Sequence, residues 1–395
     1  MLPKTYKIAF VSEFDINDVK QRSGVPYFIA KGFRELGHTV IPIGSFGNKR
    51  KLFHRIWNGI LVSFFNKLLK GKFEYINNQW SAEFLRNYAV QAKEKLNGLE
   101  YDFVFSPESH TIAYLEVDKP IVFWRDATFE NLLDYYEAYS NIHAISLNQG
   151  HQSEIQAIKK SMLAVYTSKW AADSAKKYYN ASTEQIAIIE RGANLQNIPS
   201  AESVSEWIIE KLNNPVLKIL FIGADWKRKG GDIAFELVAQ LNDDGIATEL
   251  HAIGALPKNE LPKSEWFKHY GFIKKDTEEG AVLLQELYTT CHFFVMPSLA
   301  ENFGIVYAEA SAFGMPSLGF ETGGVPAAIS EGKNGFLFPM TTTIPIIANK
   351  LQNCWVQKTE YKLLAENSRK EFETRLNWKT NCKRLLDALN AKMNG

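Results

Sequence analysis

Lys218-Ile219-Leu220-Phe221-Ile222-Gly223 runs straight into Ala224-Asp225-Trp226-Lys227-Arg228-Lys229-Gly230-Gly231, and this junction decides the architecture. A short apolar run that ends on glycine reads as a buried strand. A charged loop follows, closes on two more glycines and leads into a helical stretch through Phe235 and Leu241. Strand, Gly loop and helix in that order open a βαβ unit, and βαβ units build parallel sheets. Further strands follow at 248–254, 293–296 and 316–320. The same order opens the chain: a strand at 8–12, the loop Ser23-Gly24-Val25-Pro26, a helix to Leu36 and a second strand at 38–43. Strand candidates 103–105, 121–124, 164–166 and 186–189 extend that first half, and the polar stretch 194–214 reads as the join. The expectation is α/β: two Rossmann-like, doubly wound domains facing across a cleft, with ligands beyond the C-terminal strand ends. The domains are read as 1–196 and 197–375, followed by a terminal segment, 376–395, whose helix (379–392) crosses back to the first domain.

With 395 residues the chain is long for one domain and suits two, and 46% hydrophobic content supplies two cores. A net charge of +1 gives no field for nucleic acid. Cys291, Cys354 and Cys382 lie far apart with no C-x-x-C pair, which argues against a disulfide framework or zinc site and for a reducing, cytoplasmic compartment. The N-terminus does not read as a signal peptide, because a strand begins almost at once. No run approaches the length needed to span a membrane.

Four loops of the second half carry polar or Gly-rich groups after strands. The most informative is Glu301-Asn302-Phe303-Gly304-Ile305-Val306-Tyr307-Ala308-Glu309. Gly304 at a strand-to-helix turn lets backbone approach a ligand, and the N–H groups opening the helix can face an anion. Glu301 and Glu309 sit roughly 12 Å or less apart along such a helix. That span suits the two ends of a nucleotide-sugar, one carboxylate on sugar hydroxyls and the other on ribose. Arg228, Lys229, Gly230 and Gly231 form a phosphate site by charge plus backbone. Tyr270-Gly271-Phe272-Ile273 reads either as a clasp for a base or as an ordinary turn. Glu321-Thr322-Gly323-Gly324-Val325-Pro326 allows a backbone nest for an anion. Each alone also reads as a solvated junction; together, on one edge of one sheet, they point to a bound phosphate ester.

These residues, with Asn334-Gly335-Phe336-Leu337, resemble family 4 of the retaining glycosyltransferases, which have the two-domain GT-B fold. The resemblance is dense over 218–340. Ser23-Gly24-Val25, Ser168-Lys169-Trp170 and Arg191-Gly192-Ala193-Asn194 resemble landmarks of the family's first domain. The resemblance implies roles. Lys229 and Arg228 neutralise the leaving diphosphate, Glu301 holds the transferred sugar's hydroxyls and Glu309 holds the ribose. Backbone around Phe303, Gly304 and Ile305 touches phosphate or sugar, Gly230 and Gly24 approach the diphosphate, and Phe272 lies at the base. Two departures stand out. Ala224 follows Gly223 where the family often has Arg, so Arg228 takes that role. The strand end Trp124-Arg125-Asp126-Ala127-Thr128 lacks the family's first-domain His, leaving Asp126 either as the donor-sugar contact or as an N-cap.

The reaction so implied is transfer of a hexose-type sugar from a nucleoside diphosphate, UDP favoured, to a glycan, lipid-linked or other hydroxyl acceptor. No Asp-x-Asp occurs, so no metal or other cofactor is expected and cations do the metal's work. A GT-B-like sugar-nucleotide epimerase and a non-catalytic sugar-nucleotide-binding protein are the competing readings.

From Leu36 to Phe73 there is no acidic residue, but Lys49, Arg50, Lys51, Arg55, Lys67, Lys70 and Lys72 are present. Apolar pairs recur at helical spacing from Leu52/Phe53 to Leu68/Leu69. The stretch 49–72 reads either as a helix packed on the first sheet or as one lying on an anionic membrane, with the chain peripheral on the inner face of the plasma membrane.

Overall fold

The structure is a computed structural model that describes residues 5–46, 60, 63–64, 67–68, 80–257, 261–275 and 277–394. The chain divides into two compact units, Met1–Ile189 with Trp378–Gly395, and Glu190–Asn377.

The sheet of the first unit runs β2-β1-β3-β4-β5-β6. Its strands are β1 (Lys7–Ser12), β2 (Thr39–Gly44), β3 (Phe103–Ser106), β4 (Ile121–Arg125), β5 (Leu163–Tyr166) and β6 (Ile186–Ile188). Every pairing is parallel, with Ile8 opposite both Val40 and Phe103. All residues of β3, β4 and β5 are buried, as a sheet covered on both faces requires. From β1 the chain passes to β2 on one side and returns to β3 on the other, so the order reverses between β1 and β3. The terminal helix, Trp378–Asn394, packs along the helix Val25–Glu35 of the same unit. Gly32 allows this approach, since a Cβ there would lie 2.9 Å from Cys382 Sγ. Trp378 meets Trp124 edge-on at 5.4 Å between ring centroids.

The second sheet runs β12-β11-β10-β7-β8-β9. Its strands are β7 (Leu217–Gly223), β8 (Thr248–Gly254), β9 (Phe267–His269), β10 (Phe293–Val295), β11 (Ser317–Phe320) and β12 (Gly335–Phe338), again all parallel. Here the order reverses between β7 and β10, the crevice at which such sheets bind ligands. Fully buried Phe221, Phe293 and Phe294 fill the core, each stabilising by about 1.5–3 kcal/mol relative to exposure.

The polar stretch 194–214 is not simply a join, because Ala201–Leu212 is a helix. Ser200 caps it by accepting from the Ser203 N–H, and Val204 and Ile208, one turn apart, supply a narrow buried stripe. Trp207 and Leu212 pack partly against the same core, and Ser, Glu and Lys between these apolar positions hid the element. Lys211 on this helix is buried and donates to the Tyr288 carbonyl at 3.1 Å. Burial lowers its pKa to about 8.

The basic stretch 49–72 lies almost wholly outside the described residues. Of it, Ile60, Phe64 and Leu68 are helical and exposed, at 56%, 56% and 65%.

Candidate active site

Three loops of the second unit converge where its strand order reverses. The Lys229 ammonium pairs with the Glu301 carboxylate, with side chains only 16% and 12% exposed. Arg228 knits the same loops together. Its backbone N–H and its Nε both donate to Asp225, and Nη1 donates to the Ala300 carbonyl at 2.9 Å. The Leu299 N–H donates back to the Arg228 carbonyl at 2.8 Å. The third loop joins through the Gly324 N–H, which donates to the Glu301 carbonyl at 3.1 Å. Arg228 thus holds the loop on which Lys229 and Glu301 meet.

Two helices start at this convergence, and glycine leads each. Gly230 (φ +78°) precedes the helix Gly231–Asp243, and a Cβ there would lie 2.2 Å from the Pro297 carbonyl oxygen. Gly304 (φ +81°) precedes the helix Ile305–Ala312 and packs against the Tyr307 ring. No side chain caps either helix; the Gly231 N–H donates to the Trp226 carbonyl at 2.8 Å, and the positive dipole ends of both helices suit an anion. Phe303 is buried and Ile305 half-buried, so this turn offers backbone rather than side chains.

Glu309 lies one turn into the second of these helices and is 1% exposed. Lys275 Nζ donates to its two oxygens at 3.1 and 2.9 Å, and the Tyr288 hydroxyl donates at 3.0 Å. Burial, then the Glu309 charge, holds the Tyr288 hydroxyl well above its usual pKa. Lys275 carries nothing in the sequence to mark it out, since it stands among charged loop residues and is found only through its contact. Phe272 is 69% exposed. Its loop is pinned by the Gly254 N–H donating to the Gly271 carbonyl at 2.8 Å.

The structure therefore brings Arg228, Lys229, Gly230, Glu301, Phe303, Gly304 and Ile305 together, with Glu309 along the same helix. Gly24 and Asp126 belong to the first unit. Gly24 (φ +80°) begins the helix Val25–Glu35. Asp126 follows β4 and does not cap the next helix. Thr128 does, accepting from the Asn131 N–H, while Asn131 Oδ1 accepts from the Thr128 N–H at 3.0 Å. The competing N-cap reading of Asp126 is thereby corrected, because Thr128 stands at the turn and completes a reciprocal capping box.

Two reversed parallel sheets, each with its loops at the strand-order reversal, define the two-domain GT-B class. Residues 207–371 match the family model described as "Glycosyl transferases group 1". A D-inositol 3-phosphate glycosyltransferase of Streptomyces avermitilis is 27% identical over 199 residues, 47% of this chain and 42% of that protein. A protein of the same name from Corynebacterium aurimucosum is 26% identical over 222 residues, 51% of each. The chain thus aligns with only about half the length of these relatives. Among solved structures, Anabaena HepE in complex with UDP-glucose superposes with a TM-score of 0.61 at 16% identity, covering 98% of this chain and 100% of that one. WaaG, a glycosyltransferase involved in lipopolysaccharide biosynthesis, gives 0.58 at 15%, covering 96% and 98%. At such identities these two likenesses speak to fold.

Proposed function

We propose that this protein is a retaining, family 4 glycosyltransferase that moves a hexose-type sugar from a UDP-sugar to a hydroxyl of a glycan or lipid-linked acceptor. The carrying observation is the Lys229–Glu301 pair beside two helix starts that no side chain caps, at the β7/β10 reversal. Breaking the bond between sugar and diphosphate builds negative charge on the leaving phosphate. A fixed ammonium and oriented N–H groups stabilise that charge without reorganising. Lys229 supplies the ammonium, and the Ile305 N–H, with the opening of its helix, supplies the dipole. Glu301 accepts from the transferred sugar's hydroxyls and Glu309 from the ribose. The acceptor oxygen attacks from the face the diphosphate leaves, and its proton passes to the leaving phosphate. The charge is balanced by protein cations rather than by a metal ion.

The choice of UDP is supported by the named complex of HepE with UDP-glucose, and an envelope glycan as acceptor by the named role of WaaG. Nucleotide release from UDP-, GDP- and ADP-sugars, with and without acceptor and with EDTA, tests the reading. UDP-sugar turnover that needs acceptor and survives EDTA is expected. A changed sugar nucleotide with no release would instead establish the epimerase, and binding without turnover the non-catalytic protein.

Among the described residues no helix is long and apolar enough to cross a membrane. Ile60, Phe64 and Leu68, spaced four apart and all exposed, support a surface role for the basic stretch 49–72, and we propose peripheral attachment to anionic lipid. Flotation with phosphatidylglycerol vesicles at low salt should carry the protein up. Failure to float would leave the sheet-packed reading.

A further inference from the structure

The first unit carries a cavity between the helix Lys169–Tyr179 and the chain that leaves the short helix Phe129–Leu132. Trp170, Asp173, Ser174, Lys177 and Tyr178 line one wall. Their spacing of i, i+3, i+4, i+7 and i+8 is that of a single helix face. Opposite them, Asp134 takes a φ of +54°, and its N–H donates to the Tyr139 carbonyl at 3.3 Å. Asp tolerates this left-handed turn better than most residues. The turn sets Tyr135 against Trp170, with ring centroids 5.1 Å apart and planes at 45°. The cavity between the two walls measures about 440 Å³, a size usual for small-molecule sites. The donor chemistry uses none of these residues.

Three aromatic rings line the cavity. Trp170 and Tyr135 are half-buried, and Tyr178 is 47% exposed. Tyr178 already carries a cation, since Lys177 Nζ lies 4.7 Å from its ring centroid. Among the described residues no cation lies over Trp170, the ring type that attracts one most strongly. The charged lining is mainly acidic, with Glu130, Asp134 and Asp173 against Lys177. Asp173 also pairs with Lys169, which does not line the cavity, and Glu130 lies 3.8 Å from His151 Nε2. Asp134 is exposed and pairs with no cation among the described residues. The two neutral polar side chains of the lining are engaged elsewhere. Asn131 Oδ1 accepts from the Thr128 N–H at 3.0 Å, and Ser174 Oγ lies 2.7 Å from Thr128 Oγ1. Charge and aromatic faces are thus what a ligand would meet. An anion would meet like charge. A compact metal ion needs converging ligands, and among the described residues no three carboxylates, imidazoles or thiols converge to hold one. Negative charge spread around aromatic walls suits a large, diffuse cation.

We infer that this cavity binds an organic ammonium ion, its charged head against the Trp170 and Tyr135 rings and its charge balanced by Asp134 and Asp173. The inference stands on the chemistry of the cavity and needs neither the donor nor the acceptor reading above.

Saturation-transfer NMR on the full chain would compare choline with neohexyl alcohol, which has the same shape and no charge. Choline should bind about tenfold more tightly, the scale of one cation–π contact in a partly desolvated site. Added salt should weaken choline and leave the alcohol unmoved. Trp170→Leu should weaken choline about tenfold. Asp134→Asn keeps a residue suited to the left-handed turn. It should weaken choline about threefold, the scale of an exposed charge pair, without moving the alcohol, and it carries the test if the first variant fails to fold. Equal affinities for choline and the alcohol, no binding of choline, or unchanged choline binding in the folded variants would overturn the inference. So would tighter binding of methyl glucoside than of choline, which would make the cavity a sugar site.

Discussion

Lys275 reaches both oxygens of Glu309, at 3.1 and 2.9 Å, from a side chain half in solvent, while Glu309 itself is buried. The carboxylate proposed for ribose is thus held by one displaceable cation and one fixed hydroxyl, that of Tyr288. Because Lys275 is half exposed, a double-mutant cycle with Lys275→Ala and Glu309→Gln should give a coupling of about 0.5–1 kcal/mol in urea unfolding. Added salt should shrink it. Glu309→Gln should also weaken UDP binding about tenfold by removing the charged acceptor. Unchanged UDP affinity would take the ribose away from this residue.

Lys229, paired with Glu301, is the cation proposed for the leaving group. Lys229→Ala should lower turnover about 10²-fold or more, the scale of losing a main electrostatic stabiliser, with the far-UV spectrum intact. Normal turnover would mean that the phosphate site lies elsewhere. Arg228 should behave differently. Its bonds to Asp225 and Ala300 make it a loop holder, so Arg228→Lys should cost stability as well as rate.

Much of this was legible in the sequence because the deciding features are local. An apolar run ending on Gly marked β7, a plain apolar run marked β1, and the glycines at 230 and 304 marked backbone turns that no side chain could enter. The pairing of Lys229 with Glu301 was not legible, since the two are 72 residues apart and meet only through a parallel crossover. Lys275 was hidden for the same reason. The helix Ala201–Leu212 was missed for another: Ser, Glu and Lys interrupt its apolar positions, and the Asn and Ser residues flanking it read as a linker.

Gly230 and Gly245 separate backbone strain from steric exclusion. Both have positive φ, +78° and +82°, but a Cβ at 230 would lie 2.2 Å from the Pro297 carbonyl, while at 245 nothing lies within 4 Å. Gly245→Ala should cost about 1 kcal/mol, the left-handed penalty alone. Gly230→Ala must also push apart the β7 and β10 loops, and should cost about 3 kcal/mol or more with loss of the Lys229–Glu301 geometry. Equal melting temperatures for the two variants would show that the loops yield freely.

His292 should make the protein sensitive to mild acid. The ring is fully buried, its Nδ1 accepts from the Lys218 N–H at 2.9 Å, and its Nε2–H donates to the Lys211 carbonyl at 3.0 Å. A proton on Nδ1 would face the Lys218 N–H, so the site is built for the neutral ring. Burial, with the nearby Lys211 and Lys358 charges, lowers its pKa from 6.5 to about 3. The folded value lies below the unfolded one, so above pH 6.5 neither state binds the proton and nothing is lost. Below it the unfolded chain takes up a proton that the folded chain refuses, and stability falls by about 1.4 kcal/mol per pH unit until near pH 3. Burial also lowers His251 and His38, which adds to the slope. Between pH 6.5 and 5 most carboxylates remain ionised, so histidines dominate there. His292→Asn should be less stable at pH 7 yet lose about one proton's worth less stability per pH unit across that interval. An identical slope, or a folded-state His292 resonance that titrates above pH 5, would show that the ring accepts its proton inside the core.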